Sequence, residues 1–170
     1  LGLPGTSFPL QRTASAVLAP PSSINGDNDN VEDPSVIKAG ATYVMYYTGT
    51  AEDGTASEIF QATSPDGQVW TRANGGAPVL TGTVGAFDEF GVSGAEVHYD
   101  VTDAVAPYKM WFAGQGSTFG GIGYATSADG IAWDKYDNGG PTPLAVLEHG
   151  RAGSADSFAA ADPSVIKDGT

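Results

Sequence analysis

Carboxylates recur along this sequence at places that themselves repeat. The hexapeptide DPSVIK stands at Asp33–Lys38 and again at Asp162–Lys167, 129 positions apart. Ahead of the first copy, NGDNDNVED (Asn25–Asp33) is dense in oxygen donors. A hard cation such as calcium takes roughly six to eight oxygens, and Asp27, Asp29 and Asp33 offer some of them. Calcium is therefore the candidate cation and no other cofactor is required, although no glycine or terminal glutamate stands where an EF-hand loop needs one. An aspartate before proline has a second, architectural reading, because its carboxylate caps turns by accepting backbone N–H groups. The two histidines, His98 and His149, lack metal-ligand spacing, and there is no cysteine. Zinc, thiolate and disulfide chemistry find no support, and no Ser-His-Asp order, P-loop or Rossmann fingerprint occurs.

The formal charge of −13 sets the partners. Duplex nucleic acid and acidic lipid are anionic and are repelled, whereas cations, neutral sugars and basic proteins are not. No apolar run is long enough to insert into a membrane as a helix. Few lysines with abundant Asp, Asn, Ser, Thr and Gly point to an extracellular or cell-surface setting. With 41% hydrophobic and 16% charged residues the chain folds, and its 24 glycines and 11 prolines ask for many tight turns, as in all-β proteins.

The elements that position these carboxylates come in copies. ATSPDGQVW (Ala62–Trp70) matches ATSADGIAW (Ala125–Trp133) at an offset of 63, and YVMYYTG (Tyr43–Gly49) matches YKMWFAG (Tyr108–Gly114) at 65. NGGAPVL (Asn74–Leu80) pairs with NGGPTPL (Asn138–Leu144), and DPSVIK aligns with GAEVHY (Gly94–Tyr99). Six positions before each opening stands an aspartate: Asp27, Asp88 and Asp156. Self-similarity of this kind marks a repeat architecture.

Each copy spells four strands: PSVIK; TYVMYYTG, apolar throughout as in a strand buried on both faces; EIFQATS or GIGYATS; and a fourth beginning near Trp70 or Trp133 after an SPDG or SADG turn. No 3.6-residue period persists, so essentially no helix is expected. A four-stranded sheet of this size cannot bury both faces alone, and stacked radially such sheets form the blades of a β-propeller. Trp70 and Trp133 then pack between blades, with Tyr46, Tyr47, Trp111 and Phe112 in the core. Phe87, Phe90 and Phe119 fall in loops, Phe90 matching Phe158.

The whole chain, 1–170, reads as part of one propeller. Residues 1–32 hold an outer strand of a preceding blade and a loop, because SAVLAPP (Ser15–Pro21) is similar to APVLTG (Ala77–Gly82). Residues 33–93 and 94–161 are blades, and 162–170 is the first strand of the next. An incomplete ring leaves raw sheet edges that invite self-association, so the sequence reads as a portion of a longer chain.

DPSVIKAGATYVMYYTG, ATSPDGQVWTR and PVL resemble the five-bladed β-propeller glycosidase superfamily of arabinanases, β-xylosidases, invertases, levansucrases and mannoside phosphorylases. SxDGxxW is also similar to the Asp-box of sialidases, which carries one more residue between Asp and Gly, and is taken as a shared hairpin solution. The superfamily resemblance implies carboxylates at inner-strand starts facing a central channel. There one acts as base or nucleophile, one orients substrate, and a glutamate is the acid. It places Asp33 and Asp162 in that acidic position, with Glu96, two residues past Gly94, as the remaining candidate. His149 and Arg151, in the connection over the channel mouth, and Asp88 are candidate substrate contacts. Gly94 and the order of the acids depart from the family pattern. The expected function is therefore a glycan-directed module, with glycoside hydrolysis or transfer by channel carboxylates, or a structural surface or filament-forming role, as the alternatives.

Overall fold

TYVMYYTG is apolar on both sides, and the computed structural model shows why. The structure describes residues 16–21, 26–51, 54, 56–117 and 120–168. Its first sheet has antiparallel strands in chain order: β1 (Asn30–Ala39), β2 (Thr42–Thr50), β3 (Ser57–Ser64) and β4 (Thr71–Arg72). The second repeats it with β5 (Gly91–Tyr99), β6 (Tyr108–Gln115), β7 (Gly121–Ser127) and β8 (Asp134–Lys135), and β9 (Ala145–Glu148) also pairs with β7. The fourth strand of each sheet is thus broken. After β4 the chain makes a three-residue 3-10 turn at Asn74–Gly76, then returns to β3 through an Ile59–Leu80 bridge. Among the described residues this turn is the sole helical piece.

Alternation along β2 divides the core. Val44 and Tyr46 face the second sheet, with Ile59, Val92, Ala95, Val97, Met110 and Phe112. Met45 and Tyr47 face the other way, with Phe60 and Ala62, beneath Leu18, Val31 and Trp70. Burying each of these large side chains contributes about 1.5–3 kcal/mol. Trp133 packs between the sheets, its ring edge-on to Tyr46 at 5.6 Å. Tyr46 donates its hydroxyl to the Gly130 carbonyl at 3.0 Å, and Gln61 Nε2 donates to that carbonyl at 2.7 Å and to the Tyr46 oxygen at 2.9 Å. Burial raises the Tyr46 hydroxyl well above the ordinary tyrosine range, which keeps the donor protonated.

The two SxDGxxW turns are built alike. Ser64 Oγ accepts the Asp66 and Gly67 N–H groups, Asp66 Oδ1 accepts those of Gln68 and Val69, and Trp70 Nε1 donates to the Gly67 carbonyl. Ser127, Asp129, Gly130, Ile131, Ala132 and Trp133 reproduce every bond.

Of the two terminal segments read as further strands, the structure describes only 16–21 and 162–168. Residues 16–21 form no strand; Leu18 lies on the Met45 cluster, and Ala19 accepts a bond from Arg72 Nη2. Residues 162–168 also form no strand. Each inner strand here pairs with the second strand of its own sheet, β1 with β2 and β5 with β6, and residues 162–168 have no such partner among the described residues. Ser15 and Phe119 lie outside the described residues.

Candidate functional site

The entrance to each inner strand is a β-bulge. Register slips between Glu32 and Ser35 in β1, and between Ser93 and Glu96 in β5. Asp33 sits in the first bulge at φ +50° and Gly94 in the second at φ +57°, and Asp162 repeats the conformation at φ +51°. Glycine takes positive φ freely, whereas other residues do so at roughly 1–2 kcal/mol, aspartate among the least penalised. The three aligned positions therefore share one backbone, which Gly94 shows to need no carboxylate.

Two kinds of aspartate stand in contrast. Asp66 and Asp129 each accept two backbone N–H groups, which hold their carboxyls below the usual range. Asp33 and Asp162 accept no backbone N–H among the described residues, and both are exposed. Asp33 Oδ2 accepts the Thr48 hydroxyl at 3.3 Å. Thr48 Oγ1, in turn, accepts the Gly94 N–H at 3.0 Å. On the far side of Gly94, Asp162 lies so close that a Cβ built on the glycine would sit 3.1 Å from its Oδ1. The structure thus gathers Asp33, Thr48, Gly94 and Asp162 at one end of adjoining inner strands, two solvent-facing carboxylates flanking a glycine.

Glu96 is placed elsewhere. The bulge lies between Ser93 and Glu96 and includes Gly94, so strand alternation does not carry from the entrance to this residue. Its Oε1 lies 3.4 Å from His98 Nε2 on the sheet face shared with Trp111, whose ring meets the His98 ring edge-on at 5.5 Å. Met110 and Phe112 occupy the opposite face, against the first sheet.

Asp27 and Asp88 are interior residues with no exposed surface. Asp27 Oδ2 accepts Arg72 Nε at 2.6 Å and the Tyr47 hydroxyl at 2.8 Å. Asp88 Oδ2 pairs with Lys135 Nζ, and Oδ1 accepts the Thr83 N–H at 3.2 Å. Each carboxylate ties a sheet's entry segment to its outer strand. The expectation that Asp88 contacts a ligand is corrected by this burial, since a sugar does not reach it. Asp29 is exposed and donates its N–H to the Thr50 carbonyl at 3.1 Å. Among the described residues no three Asp, Glu or His side chains gather into a metal-binding group. Among the described residues Asp27 Oδ1 has no partner, and neither has Asn28 Oδ1. By the repeat, the counterpart of the Thr83 donor is Ser22, outside the described residues.

His149 and Arg151 line a cleft of about 840 Å³ with Phe87, Glu89, Ser117 and Leu144. His149 Nδ1 lies 2.6 Å from the Gly150 carbonyl oxygen, and Ser154 bonds back to the Arg151 carbonyl. This cleft is bounded by the 85–89 connection and the outer part of the second sheet, and neither Asp33 nor Asp162 lines it. Phe87 packs beside Phe112 at 6.0 Å, while Phe90 and Phe158 are exposed.

Two features were readable and missed. Thr48 corresponds to Ala113 as Asp33 corresponds to Gly94, so hydroxyl and carboxylate change together between copies. Gly49 and Gly114, closing YYTG and WFAG, are demanded by a buried aspartate and a phenylalanine together: a Cβ would lie 2.5 Å from Asp27 Cβ and 2.6 Å from Phe60 at the first, and 2.4 Å from Phe87 and 2.8 Å from Asp88 Cβ at the second.

No protein-family model and no curated protein matches the sequence. Solved structures do match. A glycosyl hydrolase from Bacteroides ovatus superposes with a TM-score of 0.57 at 19% identity, over 66% of this chain and 32% of that one. A family 117 glycoside hydrolase from Zobellia galactanivorans gives 0.61 at 18% identity, over 86% and 48%. A structure from the GH130 family of mannoside phosphorylases, described as containing glycoside hydrolases that target β-1,2-mannosidic linkages in Candida mannan, gives 0.53 at 18% identity, over 62% and 31%. The chain therefore shares the β-propeller blade fold of these structures and spans about a third to a half of their length.

Proposed function

We propose that this chain is part of an extracellular, glycan-directed β-propeller whose ligand meets Asp33 and Asp162 beside Gly94. The observation that carries the reading is the contrast between aspartates. Those in the SxDG turns are occupied by backbone N–H groups, whereas Asp33 and Asp162 present their carboxylates to solvent from a backbone that glycine takes more easily. Strain kept where no architectural need exists marks a working position. Sugar hydroxyls are neutral donors that a chain of charge −13 does not repel. Fold neighbours named as glycoside hydrolases support carbohydrate as the ligand class.

A second reading makes the same carboxylates an acid–base pair for glycoside hydrolysis or transfer, favoured by the hydroxyl that Thr48 directs at Asp33. A third, self-association in a surface or filament structure, draws on the exposed Val146, Leu147, Phe158 and Ile166.

Affinity electrophoresis against mannan, galactan, arabinan, xylan and polygalacturonate tests the first reading. Asn also tolerates positive φ, so Asp33→Asn and Asp162→Asn remove charge while preserving the bulge. One polysaccharide should retard the wild type, and each variant should bind it at least about tenfold more weakly. Migration unaffected by every polysaccharide, or equal retardation of both variants, overturns the reading. Release of reducing ends, abolished by Asp33→Asn, selects catalysis. Concentration-dependent elution in gel filtration selects self-association.

A further inference from the structure

We propose that Thr48 is a positioning residue, whose hydroxyl fixes the Asp33 carboxylate to the backbone of the neighbouring blade. This deepens the site reading above and rests on it for its purpose, though its geometry stands alone. Thr48 is 1% exposed, so its hydroxyl has little access to water. A hydroxyl donates one proton and accepts on its lone pairs. The Gly94 N–H can only donate, and at 3.0 Å it occupies the acceptor side of Thr48 Oγ1. The hydroxyl proton is left for Asp33 Oδ2, 3.3 Å away. One side chain thereby registers the first carboxylate against the strand that carries the second one's neighbour, Gly94.

The internal repeat supplies an independent line of support. In the second sheet the bulge residue is Gly94, and the position across from its predecessor is Ala113 where the first sheet has Thr48. Where there is no carboxylate there is no hydroxyl. Ala113 is buried, so solvent exposure does not explain the exchange.

The test uses Thr48→Val, which keeps the γ-methyl and the β-branch and puts a second methyl in place of the hydroxyl, against Thr48→Ser, which keeps the hydroxyl. Two NMR readings need no ligand: hydrogen exchange of the Gly94 amide, and the three-bond Hα–Hβ couplings of Asp33. In the wild type and in Thr48→Ser, Asp33 should show the pair of couplings of a single staggered rotamer, and the Gly94 amide should be protected. Thr48→Val should average the two couplings and speed exchange at Gly94 at least about tenfold. Wild-type couplings and protection in Thr48→Val, or disruption by Thr48→Ser equal to that by Thr48→Val, overturn the assignment. If Thr48→Val does not fold, the decision passes to Asp33→Gly, Thr48→Ala and their double variant, which installs the residues of the second sheet. Linkage requires the double variant to melt above the temperature that adding the single shifts gives, and additive shifts overturn it. Because these readings contain no sugar, loss of the polysaccharide interaction as a hypothesis leaves them intact.

Discussion

The two sheets agree where the fold needs them to and differ where it does not. Both have a buried aspartate clamped to a cation of the outer strand, a glycine under that aspartate, and an identically bonded SxDGxxW turn. They part at the inner-strand entrance, Asp33 with Thr48 against Gly94 with Ala113, and at the first hairpin turn. Features shared by both copies are thus accounted for by packing and hydrogen bonding. The differing ones must be explained position by position, which is what singles out the entrance of the first sheet.

Breaking the shared clamp should have the largest effect. Removing the cation from a buried pair leaves a carboxylate with no countercharge, at about 3–5 kcal/mol. Arg72→Met and Lys135→Met should each lower the urea midpoint by a corresponding amount, with similar losses in the two copies. A loss below about 1 kcal/mol in either would show that the clamps are not equivalent, and the comparison would fail at its firmest point.

Next come the glycines that let the aspartates in. At Gly49 the new methyl would meet Asp27 Cβ at 2.5 Å and Phe60 at 2.6 Å, and at Gly114 it would meet Phe87 at 2.4 Å. Overpacking of this kind costs about 1–3 kcal/mol. Gly49→Ala and Gly114→Ala should both show it in equilibrium unfolding, and a neutral result in one copy would mean that its aspartate approaches the strand differently.

Those clamps also show what the sequence disclosed and what it withheld. Strand identity was legible because YVMYYTG is apolar in the way a doubly buried strand accepts and YKMWFAG matches it, and the copy number followed from their spacing. The positions of Asp27 and Asp88 were legible too, six residues ahead of each opening, but not their roles. Nothing local says that a carboxylate in a polar loop turns inward to meet Arg72 or Lys135, some 45 and 47 residues downstream. The placement of Glu96 was not legible for a related reason: a bulge breaks the alternation that a strand pattern assumes, and the positive φ of Gly94 becomes visible only in the backbone. Asp33 and Asp162 stood out as candidates because they sit in the repeated words themselves.

Exchange of the entrance residues sharpens the comparison further. Asp33→Gly relieves a strained position and should leave stability within about 1 kcal/mol of the wild type, or slightly raise it, while removing the carboxylate. Gly94→Asp imposes positive φ on a side chain whose Cβ lies 3.1 Å from the Asp162 carboxylate, and should destabilise by about 1–2 kcal/mol. Thermal melts of the pair decide it. A neutral or stabilising Asp33→Gly beside a destabilising Gly94→Asp confirms one backbone with two occupants, whereas clear destabilisation by Asp33→Gly would return the carboxylate to an architectural role.

Acid should separate the two hairpin turns, with the smallest effect. The first sheet turns through Gly40 and Ala41, without a carboxylate. The second turns through 100–107, where Lys109 Nζ holds Asp103 Oδ2 at 2.6 Å, and the Ala106 and Val105 N–H groups bind Oδ1 at 3.0 Å. Together they hold the Asp103 carboxyl down to about 2. Asp100 is also held well below the ordinary range, by Thr102 first and then by Lys167, which reaches it from the 162–168 segment at 2.9 Å. A carboxyl depressed in the folded state contributes stability that is complete above its unfolded value of about 4 and fades as pH falls through the folded value. Amide exchange followed from pH 5 to pH 2, corrected for intrinsic rates, should therefore show protection fading at 100–107 and along 162–168 while 38–43 holds. Asp103→Asn should flatten the dependence at 105–109 and leave that at 162–168 in place, because Lys167 answers to Asp100. Parallel loss in both turns would mean that acid acts on the sheets as a whole and that the charged turn of the second copy adds nothing of its own.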